Sequence, residues 1–323
     1  MIAEDLRPRR ILTPAAFANA VAMVLAVSGS INTIKHLQAI AVEAGLELDI
    51  QNLFDRLGGR IPVLAAIRPN GDDPIEALED AGGARAVMKR LEPLIDTAPM
   101  TVSGCTVAEN LKDAAIHDGE VIRPLDRPFA AQPPIVILRG SLAPDGAVVK
   151  LGLRRGRTVQ LRGRAKVFET PDASVEAIRA GHVAAGDVIV LRGVGVIGGP
   201  GMGGASRTVF ALDGTPFASD VAVVTDGQLS GLVNVGLVVG EVKPEAAVGG
   251  PLALVEDGDE IAIDIEGKTI ALDVPADELA ARRAGWRPKP PATDSVWLSV
   301  YQRTVGPLAQ GATLVPRKKD VES

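Results

Sequence analysis

The chain has 323 residues with 46% hydrophobic and 23% charged side chains, which places it among globular proteins with room for one large or two ordinary domains. A formal charge of −6, scattered Lys and Arg, and only six Phe, two Trp and one Tyr exclude a basic nucleic-acid footprint and a base-stacking platform, so the core must be aliphatic. A single cysteine, Cys105, excludes an internal disulfide framework and fits a reducing cytoplasm, while 35 Gly and 23 Pro imply many tight turns.

Thr13-Pro14 is an N-cap followed by a first-turn proline and opens a helix through about Val27. Asn19, Ser28, Ser30 and Asn32 interrupt its apolar run well short of a membrane span, so a buried helix and no membrane segment are expected. The run "INTIKHLQAIAVEAG" repeats apolar residues at Ile34, Leu37, Ile40 and Ala41 and stops at Gly45; His36 on it reads as a satisfied core or interface histidine. Asp73-Pro74 opens another helical stretch, broken at Gly82-Gly83 and resumed as "ARAVMKRLEPLI".

Residues 1–121 are therefore expected to be mostly helical. Pro124, Pro128, Pro133 and Pro134 then mark a connector. From 122 to 323 the chain turns to short β-rich runs such as "IVIL", "DVIVLRG", "VAVVTDG" and "VGLVVGEV", interrupted by the helical "SVEAIRA" and "ADELAARRA". "EIAIDIEGKTIALDV" alternates about Glu266-Gly267 as a hairpin with one wet face. The expected class is α/β: a helical N-terminal portion, then a closed or nearly closed sheet with a few helices. The tail "LSVYQRTVGPLAQGATLV" reads as a last helix that docks elsewhere.

Chemistry-bearing motifs are few. Gly193, Gly195 and Gly198 spell a G-x-G-x-x-G after an apolar strand. A dinucleotide site would need a helix to start there, yet Gly199, Pro200, Gly201, Gly203 and Gly204 follow, and such a run cannot propagate one. The loop is either a tight turn or a segment whose backbone must approach a ligand closely. His36, His117 and His182 share no metal spacing. On the residues alone, the turn "TDGQLSG" either reverses the chain or holds out Ser230.

These segments resemble the dihydroxy-acid dehydratase and phosphogluconate dehydratase family. "ILTPAAFANAVAMVLAVSGSINTIKHLQAIAVEAGLELD" is similar to its Gly-Gly-Ser-Thr-Asn helix region. "TVSGCTVAENL", "IRPLDRPF", "GSLAPDGAVVK", "GGPGM", "TDGQLSG", "PEAAVGGPLALVEDGDEIAIDI" and "ELAARRAGW" follow in family order. The resemblance implies a hydro-lyase that removes water from a vicinal diol acid through an enol to a 2-oxo acid, using an iron–sulfur cluster and Mg2+. It implies a swivelling-type barrel, Ser230 as the base, and Ser30, Asn32, Gly201, Met202, Asp226 and Gly227 around the substrate, a small dihydroxy acid.

The chain departs from the family pattern in three ways. It begins near the middle of the family's length, which implies the C-terminal half only, with residues 1–121 a remnant of the cluster-binding domain; cluster and metal ligands would then lie elsewhere, and none is assigned here. Gly204 stands where the family has a metal-binding glutamate. Gln228 stands where the turn has arginine, and the turn after Ser230 is one residue longer. Two readings follow: one part of a hydro-lyase completed by a separate N-terminal chain, or a degenerate non-catalytic homologue acting as a binding or scaffold partner. Apolar faces left open by a missing half would also favour a homo-oligomer.

Overall fold

The computed structural model describes residues 1–132, 134–153, 159–199, 203–229, 235–288 and 295–314. The chain forms two compact units, one made mainly of Met1–Val136 and the other mainly of Ile137–Lys150 and the later chain.

The first unit is helical: α1 (Pro8–Ile11), α2 (Pro14–Ala26), α3 (Asn32–Ala44), α4 (Ile50–Gly58), α5 (Ile75–Asp80), α6 (Gly83–Leu91) and α7 (Val107–Leu111). The expected caps are present. Thr13 Oγ1 accepts the Ala16 N–H at 3.2 Å, and Gly45 closes α3 at φ +76°. Gly82-Gly83 separates α5 from α6 as expected. Helix α2 packs on α4 and α6, burying Phe17, Val21, Ala22, Leu25 and Ala26. Asn19, which breaks the apolar run in the sequence, is buried because its amide bonds both main-chain groups of Asp96, at 2.6 Å to the carbonyl and 3.0 Å from the N–H. Gln38 does the same between α3 and α4, donating to the Leu48 carbonyl and accepting the Ile50 N–H. His36 is not a core histidine: of the two expected places the core is ruled out, since it is exposed, as is Ile40, while Ile34, Lys35, Gln38 and Ala41 make up the buried face of α3. No helix among the described residues is long and apolar enough to cross a membrane.

The second unit is built on a barrel. Strands β1 (Ile135–Gly140), β2 (Ala143–Lys150), β3 (Gln160–Phe168), β4 (Asp187–Leu191), β5 (Ala222–Thr225), β6 (Leu237–Lys243), β7 (Glu260–Asp264) and β8 (Thr269–Asp273) close in the order β1-β2-β6-β5-β4-β3-β7-β8. The mixed α/β class and the closed sheet agree with the sequence reading. Strands β3, β4, β5 and β6 run parallel, and β4, β5 and β6 are buried almost throughout, which explains the apolar runs Val188–Leu191, Ala222–Val224 and Leu237–Val239. Strands β7 and β8 form the expected antiparallel hairpin with one buried face. Helices α8 (Pro171–Arg179), α9 (Ala205–Asp213), α10 (Ala276–Gly285) and α11 (Val296–Thr304) complete the unit; the expected tail helix ends at Thr304 and, rather than docking elsewhere, packs within this unit against Val196 and Ile197.

Candidate active site

Parallel strands deliver their C-terminal ends to one end of the barrel. There β4 leads into the glycine loop at Gly193, β5 into the Asp226-Gly227 turn, and β6 into Glu245. In sheets of parallel strands this is the end where ligands are bound.

Asp226 is fully buried and holds three main-chain donors: Gly193 N–H to Oδ2 at 3.0 Å, Val194 N–H to Oδ1 at 3.0 Å and Ala246 N–H to Oδ2 at 2.9 Å. Burial pushes its carboxyl above the usual carboxylate range, and the three N–H bonds oppose that rise. It thus ties the glycine loop and the start of the segment after Glu245 to its own turn. The turn is shaped locally by the buried Thr225, whose Oγ1 accepts the Gly227 N–H at 3.0 Å. A Cβ on Gly227 would lie 2.7 Å from Val194 Cγ2, so a side chain there would push the glycine loop away.

A second carboxylate supports the loop. Glu245, 8% exposed, accepts the Ile197 N–H at 2.9 and 3.2 Å through its two oxygens. Burial pushes it up to about 7; the Ile197 and Gly198 N–H groups oppose the rise, and the negative charge of Asp226 adds to it. On the other side of Ile197, Gln302 of α11 donates to its carbonyl at 2.7 Å. Arg192 closes the base of the loop, binding Glu169 at 2.8 Å and the carbonyls of Leu252, Ala253 and Val255. Neither Glu245 nor Arg192 was singled out from the sequence. Glu245 lies in a run that carried the resemblance, but nothing local to it signals a buried acceptor.

This geometry also accounts for the literal G-x-G-x-x-G. The N–H groups of Gly193, Val194 and Ile197 are taken by carboxylates rather than open to a pyrophosphate, and the next helix starts only at Ala205.

The sequence-derived site residues fall into three groups. Asp226 and Gly227 sit together at the barrel end. Ser30 and Asn32 sit together in the helical unit, where Ser30 Oγ accepts the Asn32 N–H at 3.2 Å and Asn32 Oδ1 accepts from Lys35 Nζ at 3.0 Å. Ser230, Gly201 and Met202 lie outside the described residues.

The donor set does not fit the cofactors that the resemblance implies. An iron–sulfur cluster is held by several thiolates, and this chain has one cysteine, Cys105, which is exposed. Among the described residues no group of three or more His, Cys, Asp or Glu is placed to hold a metal ion. Gly204 caps α9 at φ +96°, a conformation in which the family's glutamate would be strained.

Comparison with known proteins shows the family of the chain. The dihydroxy-acid/6-phosphogluconate dehydratase C-terminal model matches residues 120–312 and the corresponding N-terminal model residues 1–110. The chain is 43% identical over 316 residues to the dihydroxy-acid dehydratase of Moorella thermoacetica, covering 97% of this chain and 57% of that relative. It is 45% identical over 291 residues to those of Ignicoccus hospitalis and Pyrococcus abyssi, covering 90% of this chain and 52% of each. The chain thus spans about half the length of the curated relatives it matches. The expectation of a C-terminal half only is corrected, since residues 1–110 match the N-terminal domain, and a separate chain supplying that domain gains no support. Matched by both domain models and by relatives along nearly its full length, the chain belongs to the dihydroxy-acid/6-phosphogluconate dehydratase family.

Proposed function

We propose that this protein takes part in dehydrating a 2,3-dihydroxy acid or sugar acid to a 2-oxo acid, with Ser230 as the base. The supporting observation is identity of 43–45% to proteins named dihydroxy-acid dehydratase, over a stretch that includes the "TDGQLSG" turn. In this reading Ser230 Oγ takes the proton from the carbon next to the carboxylate. The C–H electron pair forms the double bond as the neighbouring C–O bond breaks. The departing hydroxide takes up a proton, which returns Ser230 to its starting state if it comes from Ser230, and leaves as water. The enol left behind tautomerises to the 2-oxo acid. Asp226 and Thr225 brace the turn from which Ser230 follows in sequence, and Asp226 ties that turn to the glycine loop at Gly193 and Val194. A serine base needs positive charge nearby to ionise near neutrality. Among the described residues no donor set makes a metal site, and a single exposed cysteine does not hold a cluster.

The test is formation of 2-oxo acid from a panel of branched dihydroxy acids and sugar acids, comparing the protein with Ser230→Ala. Turnover of one panel member, reduced at least about a hundredfold by the substitution, supports the proposal. Turnover that survives Ser230→Ala refutes the base assignment. A folded protein that converts no panel member favours the second reading, a non-catalytic homologue that binds a ligand or partner. Gly204, Gln228 and the lone cysteine are the observations on its side.

A further inference from the structure

The glycine loop has no polar side chain between Gly193 and Gly199, and its main chain is bound at two places by carboxylates from other strand ends. Asp226 takes its first two N–H groups, and Glu245 takes the N–H of Ile197. The fit at the second place is close: a Cβ on Gly195 would stand 1.7 Å from Glu245 Oε2, so the carboxylate occupies the space that a side chain would need. The Ile197 carbonyl is bound by Gln302, so both polar groups of that peptide are fixed from opposite sides. Val196 and Ile197 pack with Tyr301, Val305 and Leu308, which ties the loop to α11 and the chain just beyond it.

We propose that Glu245 is a positioning residue: its buried carboxylate locks the main chain of the glycine loop at Ile197, and the lock loosens as that carboxylate loses its proton. The significance for turnover rests on the dehydratase reading; the lock itself does not.

The charged and titratable groups around Glu245 come from four elements. Asp226 follows β5, Lys243 ends β6, Asp145 lies on β2 and Tyr301 on α11. Asp145, Lys243 and Glu245 line one cavity of about 260 Å3. The negative Asp226 opposes ionisation of Glu245, and the charge of Glu245 in turn pushes up the Tyr301 hydroxyl, which burial raises first. With Glu245 held up to about 7 in the closed loop, opening the loop to water restores a normal carboxylate and releases the proton. Opening therefore becomes easier as pH rises from about 5 to about 8.

Amide hydrogen exchange tests this without reference to turnover. Peptides covering Gly193–Gly199 and β4 are followed from pH 5 to 8, with intrinsic rates divided out, in the full chain and in Glu245→Gln and Glu245→Ala. In the unaltered protein, loop protection should fall with rising pH. Glu245→Gln, which keeps an acceptor for Ile197, should hold protection within about threefold at pH 5 and lessen that fall, leaving the part owed to Asp226. Glu245→Ala should speed loop exchange roughly ten- to hundredfold while β4 stays protected. An unchanged loop in Glu245→Ala overturns the proposal, and so does a pH-dependent fall as steep in Glu245→Gln as in the unaltered protein, since Asp226 contributes equally to both. Should the alanine variant fail to fold, the glutamine variant decides the matter. Absence of dehydratase activity would defeat the proposed function and leave this result standing.

Discussion

Replacing Glu245 by Gln should change the pH dependence of folding stability in a defined direction. In the folded chain the carboxyl is pushed from 4.5 up to about 7, chiefly by burial and then by the charge of Asp226. Below about pH 4.5 both folded and unfolded chains carry the proton, and above about pH 7 neither does. Between these limits only the folded chain holds it, so stability falls as pH rises through this window. The interval is worth roughly 3 kcal/mol if fully expressed. Asp226 moves in the same direction and is present in both proteins, so the difference between them isolates Glu245. Glutamine adds an N–H2 group to a buried place, which costs a pH-independent amount that cancels when only the slope is compared. The assay is urea unfolding of both proteins at pH 5, 6, 7 and 8. The variant should gain on the parent as pH rises, by up to about 3 kcal/mol over the series. Parallel curves, or a parent that gains on the variant with rising pH, would refute the placement of a proton-holding carboxylate against Ile197.

Further outcomes follow from the same geometry. Asp226→Asn leaves one carbonyl oxygen to serve the N–H groups of Gly193, Val194 and Ala246, and should destabilise the chain by about 1–3 kcal/mol in urea unfolding at pH 7; no loss would contradict the triple anchor. Gly204→Glu puts a side chain at φ +96° and 3.1 Å from Pro171 Cγ, so it should cost about 1–2 kcal/mol rather than restore a metal site. Thermal unfolding with and without Mg2+ checks this, a magnesium-dependent gain being the contrary result. Anaerobic incubation of the 323-residue chain with ferrous iron and sulfide should produce no visible charge-transfer band, since one exposed thiol cannot enclose a cluster. A stoichiometric band would overturn that reading of the donor set.

Much of the fold was legible because its signals are local. A threonine cap and first-turn proline start α2, a left-handed glycine ends α3, and alternation about Glu266-Gly267 makes the β7–β8 hairpin, each within a few residues of chain. The family was legible for a different reason, the order of many short segments along the whole length. Tertiary structure alone decided which polar groups are used. His36 lies among apolar residues in the sequence yet faces water, since the buried stripe of α3 is chosen by what packs on it. Asn19 looks like a break in an apolar helix yet is buried, because Asp96 brings it a matching donor and acceptor from 77 residues away. The glycine and proline run after the glycine motif already argues against a phosphate cradle in the sequence, but only the closed eight-stranded barrel shows the motif's N–H groups bound by Asp226 and Glu245. Spacing along a chain encodes backbone conformation. The partners of a buried donor are set by which strand ends meet in space, and that is a property of the closed sheet rather than of any stretch of sequence.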